Sequence, residues 1–108
     1  MTIDVTAVNP TLSADRVLQA LAEVLDPELG VDVVALGLVY ELHLVGDAIM
    51  VQMTLTTPGC PLHDTIERDV RGRLDRLDGV RHVDVEIVWN PPWDPSRMSA
   101  AARQRLRH

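Results

Sequence analysis

The residues best suited to chemistry lie in one stretch, Thr56 to Asp64, which contains the chain's only cysteine, Cys60. An alternating apolar pattern precedes this stretch and a helical pattern follows it, so the thiol should lie where a strand becomes a helix. The N-terminus of a helix carries free N–H groups and about half a positive charge, which favours a thiolate. A thiolate binds metals and attacks electrophiles, whereas most lone cysteines are small buried hydrophobes. The residues alone leave both interpretations open.

Two neighbouring features could assist the thiol. His63 follows Cys60 by three residues, so its imidazole could reach the sulfur from the first helical turn or remain solvated. Asp26 and Glu28 flank a proline and offer two carboxylates, but turn chemistry explains them equally well, with Asp26 in an Asx turn and Glu28 in solvent. Their position relative to Cys60 does not follow from the residues.

The composition excludes several classes of function. The 108 residues predict one domain with a loose lead-in at 1–12, and a net charge of −6 argues against a nucleic-acid-binding surface. The chain has no lysine, which excludes Schiff-base catalysis, and one cysteine cannot form an intrachain disulfide or a four-cysteine metal site. Without a signal-peptide pattern or a long apolar run, we expect a cytoplasmic protein with no membrane or nucleic-acid partner.

The periodicities predict an α+β fold in the order helix, strand, strand, helix, strand, helix, with a three-stranded sheet. The predicted helices span 14–25, 61–78 and 97–106, the strands span 39–45, 48–55 and 82–89, and 31–36 is a short strand or connector. A single helical crossover makes the second and third strands parallel, so the Cys60 stretch and the loop at 90–95 should share one edge of the sheet. Trp93, in that three-proline loop, either plugs the loop against the sheet or forms a pocket wall.

The chain resembles the MIP18 family, also called DUF59, whose members are small proteins linked to iron–sulfur cluster assembly. The resemblance rests on Asp26-Pro27-Glu28, Val34 to Tyr40, Met53 to Leu62, Val88 to Pro95, and Met98-Ser99 with Ala102. The family includes stand-alone bacterial Suf-type maturation factors, cytosolic cluster-targeting subunits and a phenylacetate-degradation accessory subunit with a cysteine-rich tail. The sequence shows no such tail, so we expect this chain to resemble the stand-alone factors. The resemblance implies a fold related to the iron–sulfur carrier domains of NifU type.

The resemblance also implies a site. In it Cys60 is the functional thiol and Asp26 and Glu28 lie nearby. We predict Cys60, Asp26, Glu28 and His63 as metal ligands. The predicted pocket and partner surface comprises Thr54, Thr57, Pro58, Trp89, Pro92 and Trp93.

One cysteine per chain determines how a cluster could be held, because iron–sulfur clusters prefer four thiolates. We therefore expect a transient cluster or metal ion, shared with a second chain in a homodimer or with assembly proteins and client apoproteins. The alternative is a metal-free adaptor, such as a phenylacetate-degradation accessory-type subunit, that docks through the Trp-Pro loop. A cysteine enzyme is disfavoured, because the pair of Cys60 and His63 lacks an orienting third group.

Overall fold

The computed structural model describes residues 3–7, 13–27, 29–56 and 63–106. Within these ranges the chain forms four strands and three helices, and a short 3-10 turn at Pro95–Arg97 precedes the last helix. They are β1 (Asp4–Ala7), α1 (Ala14–Leu21), β2 (Val39–Val45), β3 (Ala48–Met53), α2 (His63–Asp75), β4 (His82–Ile87) and α3 (Ala100–Arg105). The predicted α+β class and element order from α1 onward are confirmed, while the likeness to NifU-type domains stays a prediction.

The strands form one mixed sheet in the order β1-β2-β3-β4. β2 and β3 are an antiparallel hairpin, and β3 and β4 pair in parallel with Val51 opposite Val85. The predicted parallel crossover through α2 is therefore confirmed. As a result, the chain leaves β3 and β4 at the same edge of the sheet, where ligands commonly bind in sheets of this kind.

The first residues of the chain differ from the prediction of a loose lead-in. Residues 4–7 form β1, which pairs in parallel with β2 and places Val5 opposite Leu42. Ile3, just before this strand, packs against the core. The sheet therefore has four strands instead of three, because a four-residue segment gains its strand character from pairing rather than from a long pattern of its own.

A single aliphatic core lies between the sheet and the helices. On α1 and α2, apolar residues spaced three or four apart pack in the same core as alternate residues of the strands, as the two periodicities require. Fully buried members include Val17, Leu21, Leu42, Leu44, Ile49, Val51, Met53, Ile66, Val70 and Leu74. The packing of α2 on the sheet through Ile66, Val70 and Leu74 fixes where the segment before the helix must enter.

Several predicted boundaries change. The first helix ends at Leu21 instead of 25, and the chain continues in turns to an isolated bridge between Leu25 and Asp32. After the Asp32 bridge, residues 33–36 form turns, so the segment 31–36 is neither a strand nor an extended connector. The carboxylate of Asp32 accepts a hydrogen bond from the Ala35 N–H at 2.9 Å, which favours a turn there. β3 and β4 end at 53 and 87, two residues earlier than predicted, and α2 ends at 75 instead of 78.

The start of α3 and the middle of β2 are also refined. α3 begins at Ala100 instead of 97, because Ser99 is its N-cap and accepts from the Ala102 N–H at 3.1 Å. In β2 a bulge between Val39 and Glu41 interrupts the predicted alternation, so Tyr40 is half-buried. None of the helices in the described part of the chain is long and apolar enough to cross a membrane.

Candidate functional site

The start of α2 lies beside the end of β4. The N–H of Val88 donates to the carbonyl of Met53 at 2.8 Å, which continues the pairing of β3 and β4 past the strand ends. The imidazole of His63, the first residue of α2, meets the indole of Trp89 edge-on, with ring centroids 6.3 Å apart and planes at 76°. Both predicted site residues therefore lie at the sheet edge where the parallel topology brings β3 and β4 to an end.

Four predicted site residues lie outside the described ranges: Glu28, Thr57, Pro58 and Cys60. In the sequence Cys60 lies between Thr56 and His63, the nearest described residues on either side of it. Its segment therefore starts and finishes near the ends of β3 and β4. The distances from the sulfur to the other predicted residues stay predictions.

Thr54 contributes a buried polar atom at the end of β3. The residue is only 1 % exposed, and its N–H donates to the carbonyl of Leu38 at 2.8 Å. Within the described part of the chain its hydroxyl oxygen is buried without a hydrogen-bond partner. Such a group costs about 1–3 kcal/mol of desolvation. A ligand or a neighbouring polar group that bonded this hydroxyl would recover that cost.

Asp26 is buried and bonded within its own loop. It is 3 % exposed, and its carboxylate accepts from the Leu29 N–H at 3.2 Å. Its backbone N–H donates to Val31 and its carbonyl accepts from Gly30, at 3.0 and 2.8 Å. The carboxylate bond reaches three residues on, one more than in the Asx turn considered from the sequence, and the two backbone bonds close the same loop. Together they hold the carboxylate in a fixed place. Its approach to Cys60 stays a prediction.

The loop after β4 folds back over the segment before β2. The Trp93 indole N–H donates to the carbonyl of Leu36 at 2.7 Å, and the Tyr40 hydroxyl donates to the carbonyl of Pro91 at 2.8 Å. Trp93 is half-buried and packs on the core, whereas Pro92 is exposed. Of the two interpretations of Trp93, the structure supports the plug.

Gly37 makes this docking possible. Its φ is +76°, and a Cβ built there would lie 2.3 Å from the carbonyl oxygen of Arg97. Only glycine fits a backbone that is both left-handed and in direct contact with another backbone. The close approach also places the Arg97 guanidinium 4.7 Å from the centre of the Tyr40 ring, a cation–π contact.

Asp94 in this loop and Tyr40 in β2, which contacts it, have pKa values away from their ordinary range. Burial raises the pKa of Tyr40, while the nearby Arg97 charge lowers that pKa and the Asp94 charge raises it. Hydrogen bonds from the side chain and the N–H of Ser96 lower the pKa of Asp94. At physiological pH Asp94 is therefore ionised and Tyr40 is neutral.

The first turns of α2 carry a second cluster of polar groups. Nε2 of His63 lies 3.9 Å from Oε2 of Glu67, and one donor atom each from His63, Asp64 and Glu67 lie within 4.8 Å of one another. Of these three residues, only His63 was predicted as a metal ligand from the sequence. The signal for the larger set is its spacing, because residues four apart lie on one helix face.

The family of the chain follows from comparison with known proteins. A family described as iron–sulfur cluster assembly protein matches residues 14–87. The chain belongs to this family. The match includes β2, β3, α2, β4 and the Cys60 segment, so the predicted MIP18/DUF59 membership is confirmed.

Individual relatives and a solved structure agree with this result. The chain is 46 % identical over 93 residues to the "Fe-S protein maturation auxiliary factor YitW" of Bacillus subtilis, which covers 85 % of this chain and 91 % of the relative. It is 42 % identical over 84 residues to "Fe-S protein maturation auxiliary factor SufT" of Staphylococcus aureus, covering 77 % and 96 %. The crystal structure of a DUF59 domain from Bacillus anthracis superposes with a TM-score of 0.82 at 40 % identity, covering 85 % and 89 %.

These relatives are named as maturation factors, not as catalytic enzymes, and each is covered over most of its length. Family membership therefore gives this chain a general role in iron–sulfur protein assembly.

Proposed function

We propose that this protein handles an iron–sulfur cluster, or its iron, transiently through Cys60 and passes it to client apoproteins. The observation that carries the proposal is the position of the chain's only thiol inside the family match, between the end of β3 and the start of α2. In our proposal the thiol lies close to the N-terminus of α2, which would favour the thiolate that binds iron.

One thiolate holds iron too weakly for storage, since clusters prefer four cysteine ligands. In our proposal the remaining ligands come from Asp26, Glu28 or His63, from Cys60 of a second chain, or from a thiol of the receiving protein. A shared site of this kind releases its cargo when one contributor leaves. That property suits transfer.

The proposed partners are iron–sulfur assembly proteins and client apoproteins, and the proposed compartment is the cytoplasm, where thiols remain reduced. Trp89 and Pro92 are exposed near the sheet edge and are the proposed contact surface for a client. Trp93 is less suited to docking, because its indole N–H is already bonded to the carbonyl of Leu36. This engagement weighs against the alternative of a metal-free adaptor that uses Trp93.

Anaerobic reconstitution with iron and sulfide tests the proposal. We expect wild-type protein to take up iron and sulfide and Cys60→Ser to lose that uptake, with native mass measured on the same samples to detect a two-chain assembly. His43→Gln, on the sheet face at 32 % side-chain exposure, is the matched control for loss of a metal-binding side chain elsewhere. Equal iron uptake by wild type and Cys60→Ser would refute the role of the thiol.

A further inference from the structure

The cluster formed by His63, Asp64 and Glu67 has the geometry of an open metal site. The three donor atoms lie within 4.8 Å of one another on the first two turns of α2. Imidazole and carboxylate ligands bind divalent ions at about 2.0–2.2 Å, so ligands around one ion are roughly 3–4 Å apart. Small side-chain rotations would bring all three onto a common ion.

We propose that these three residues bind a first-row divalent cation, Fe²⁺ in the cell, without any contribution from Cys60. The identity of the metal rests on the proposed function, in which iron is the cargo. The binding site itself rests on the placement of the three side chains. It would give incoming iron a place to bind on the residues that follow the Cys60 segment in the chain.

The donor set favours transition metals over the commoner Mg²⁺ and Ca²⁺. Imidazole suits Fe, Ni, Cu and Zn, whereas Mg²⁺ and Ca²⁺ prefer sites made only of oxygen. The ring of Trp89 meets the imidazole of His63 edge-on from beyond the end of β4, with ring centroids 6.3 Å apart. The imidazole is therefore partly oriented before the ion arrives.

The surrounding charges leave one carboxylate oxygen of Glu67 available to a cation and weaken the binding of that cation. Oε1 of Glu67 lies 3.6 Å from an amino group of Arg71, while Oε2 faces His63, so the ion pair leaves one carboxylate oxygen directed at the cluster. Arg68 and Arg71 line the same groove as Asp64 and Glu67. Their positive charges and that of the helix N-terminus oppose a bound cation, which favours rapid exchange over storage.

The test uses tag-free Cys60→Ser protein, so that no thiol contributes, titrated with Co²⁺ and Ni²⁺ by calorimetry and by tryptophan fluorescence. We expect one ion per chain and quenching of the indole beside the site. His63→Ala and Glu67→Gln should each weaken binding by about tenfold or more, since even supporting residues of metal sites are worth that much. Trp89→Phe should retain the binding and lose most of the quenching.

Asp69→Asn is the matched control, because it removes one negative charge from the same helix at a residue that pairs with Arg73 at 3.6 Å. It should leave the affinity unchanged. No binding to the Cys60→Ser protein, or equal binding after His63→Ala, would overturn the inference.

The two proposals fail separately. If iron–sulfur uptake depends on Cys60 but Cys60→Ser binds no Co²⁺, the metal site at His63, Asp64 and Glu67 is refuted and the proposed function stands. If Co²⁺ binding depends on His63 but uptake of iron and sulfide does not depend on Cys60, the metal site stands and the proposed function is refuted.

Discussion

Gly37→Ala should be far more destabilising than its size suggests. A methyl group at this residue would lie 2.3 Å from the carbonyl oxygen of Arg97, and the backbone at φ +76° is one that alanine rarely adopts. The left-handed conformation alone costs about 1–2 kcal/mol for a residue with a Cβ. Forcing a group into packed structure adds about 1–3 kcal/mol. The expected loss of unfolding free energy is therefore about 2–5 kcal/mol.

Gly46→Ala separates the two contributions. Gly46 also has a positive φ, +59°, but nothing lies within 4 Å of its added Cβ, so only the conformational cost of about 1–2 kcal/mol applies. Urea denaturation of both variants measures the difference. With an m-value of about 1.5 kcal/mol/M, the Gly37 variant should unfold at a midpoint roughly 1–3 M lower than wild type.

Tryptophan emission gives a second readout of the same variant. Moving the backbone at Arg97 should loosen the bond from Trp93 to Leu36, so the emission should shift to longer wavelength before unfolding begins. Trp89 is already 40 % exposed and should contribute little to that shift. If Gly37→Ala costs no more than Gly46→Ala and leaves the emission unchanged, the close contact does not hold the loop in place.

Three further changes test separate contacts. Burial raises the pKa of Tyr40 above 10.0, so the stability that its neutral form contributes is complete below that pH and is lost as pH rises through the folded-state pKa. Arg97→Gln removes a charge that lowers this pKa, so the pKa measured by ultraviolet titration of the single tyrosine should rise further. Ser99→Ala removes the N-cap of α3 and should cost about 1 kcal/mol in urea denaturation. Glu23→Ala breaks the 2.6 Å pair that joins the turn after α1 to Arg73 of α2. Because both groups are on the surface, the cost should stay below about 1 kcal/mol and vanish near 1 M salt.

The parts of the fold that the sequence predicts are those set by local periodicity. Alternation at Ile49, Val51 and Met53 and four-residue spacing at Ile66, Val70 and Leu74 define β3 and α2 without reference to distant residues. The parallel crossover then follows from a single helical connection. The same reasoning placed the Cys60 segment at the sheet edge where β3 and β4 end.

The missed features depend on partners far away in the chain. β1 is a strand because β2, more than thirty residues later, accepts it in register, as the pairing of Val5 with Leu42 illustrates. Trp93 is a plug instead of a pocket wall because its indole N–H bonds the carbonyl of Leu36, 57 residues earlier in the chain. For the candidate site, the spacing of His63 and Glu67 was available in the sequence, but their convergence with Asp64 required side-chain positions.

One guanidinium links α2 to β4, the outermost strand on one side of the sheet. An amino nitrogen of Arg71 donates to the carbonyl of Val83 in β4 at 2.9 Å, while the other faces Glu67. β4 ends the row of strands, and a backbone carbonyl there would otherwise be available to an added strand from another molecule. Extension of the sheet past β4 by a second copy would have to break this bond. In our proposal, a pair of chains that shares Cys60 therefore leaves the flank of β4 unpaired.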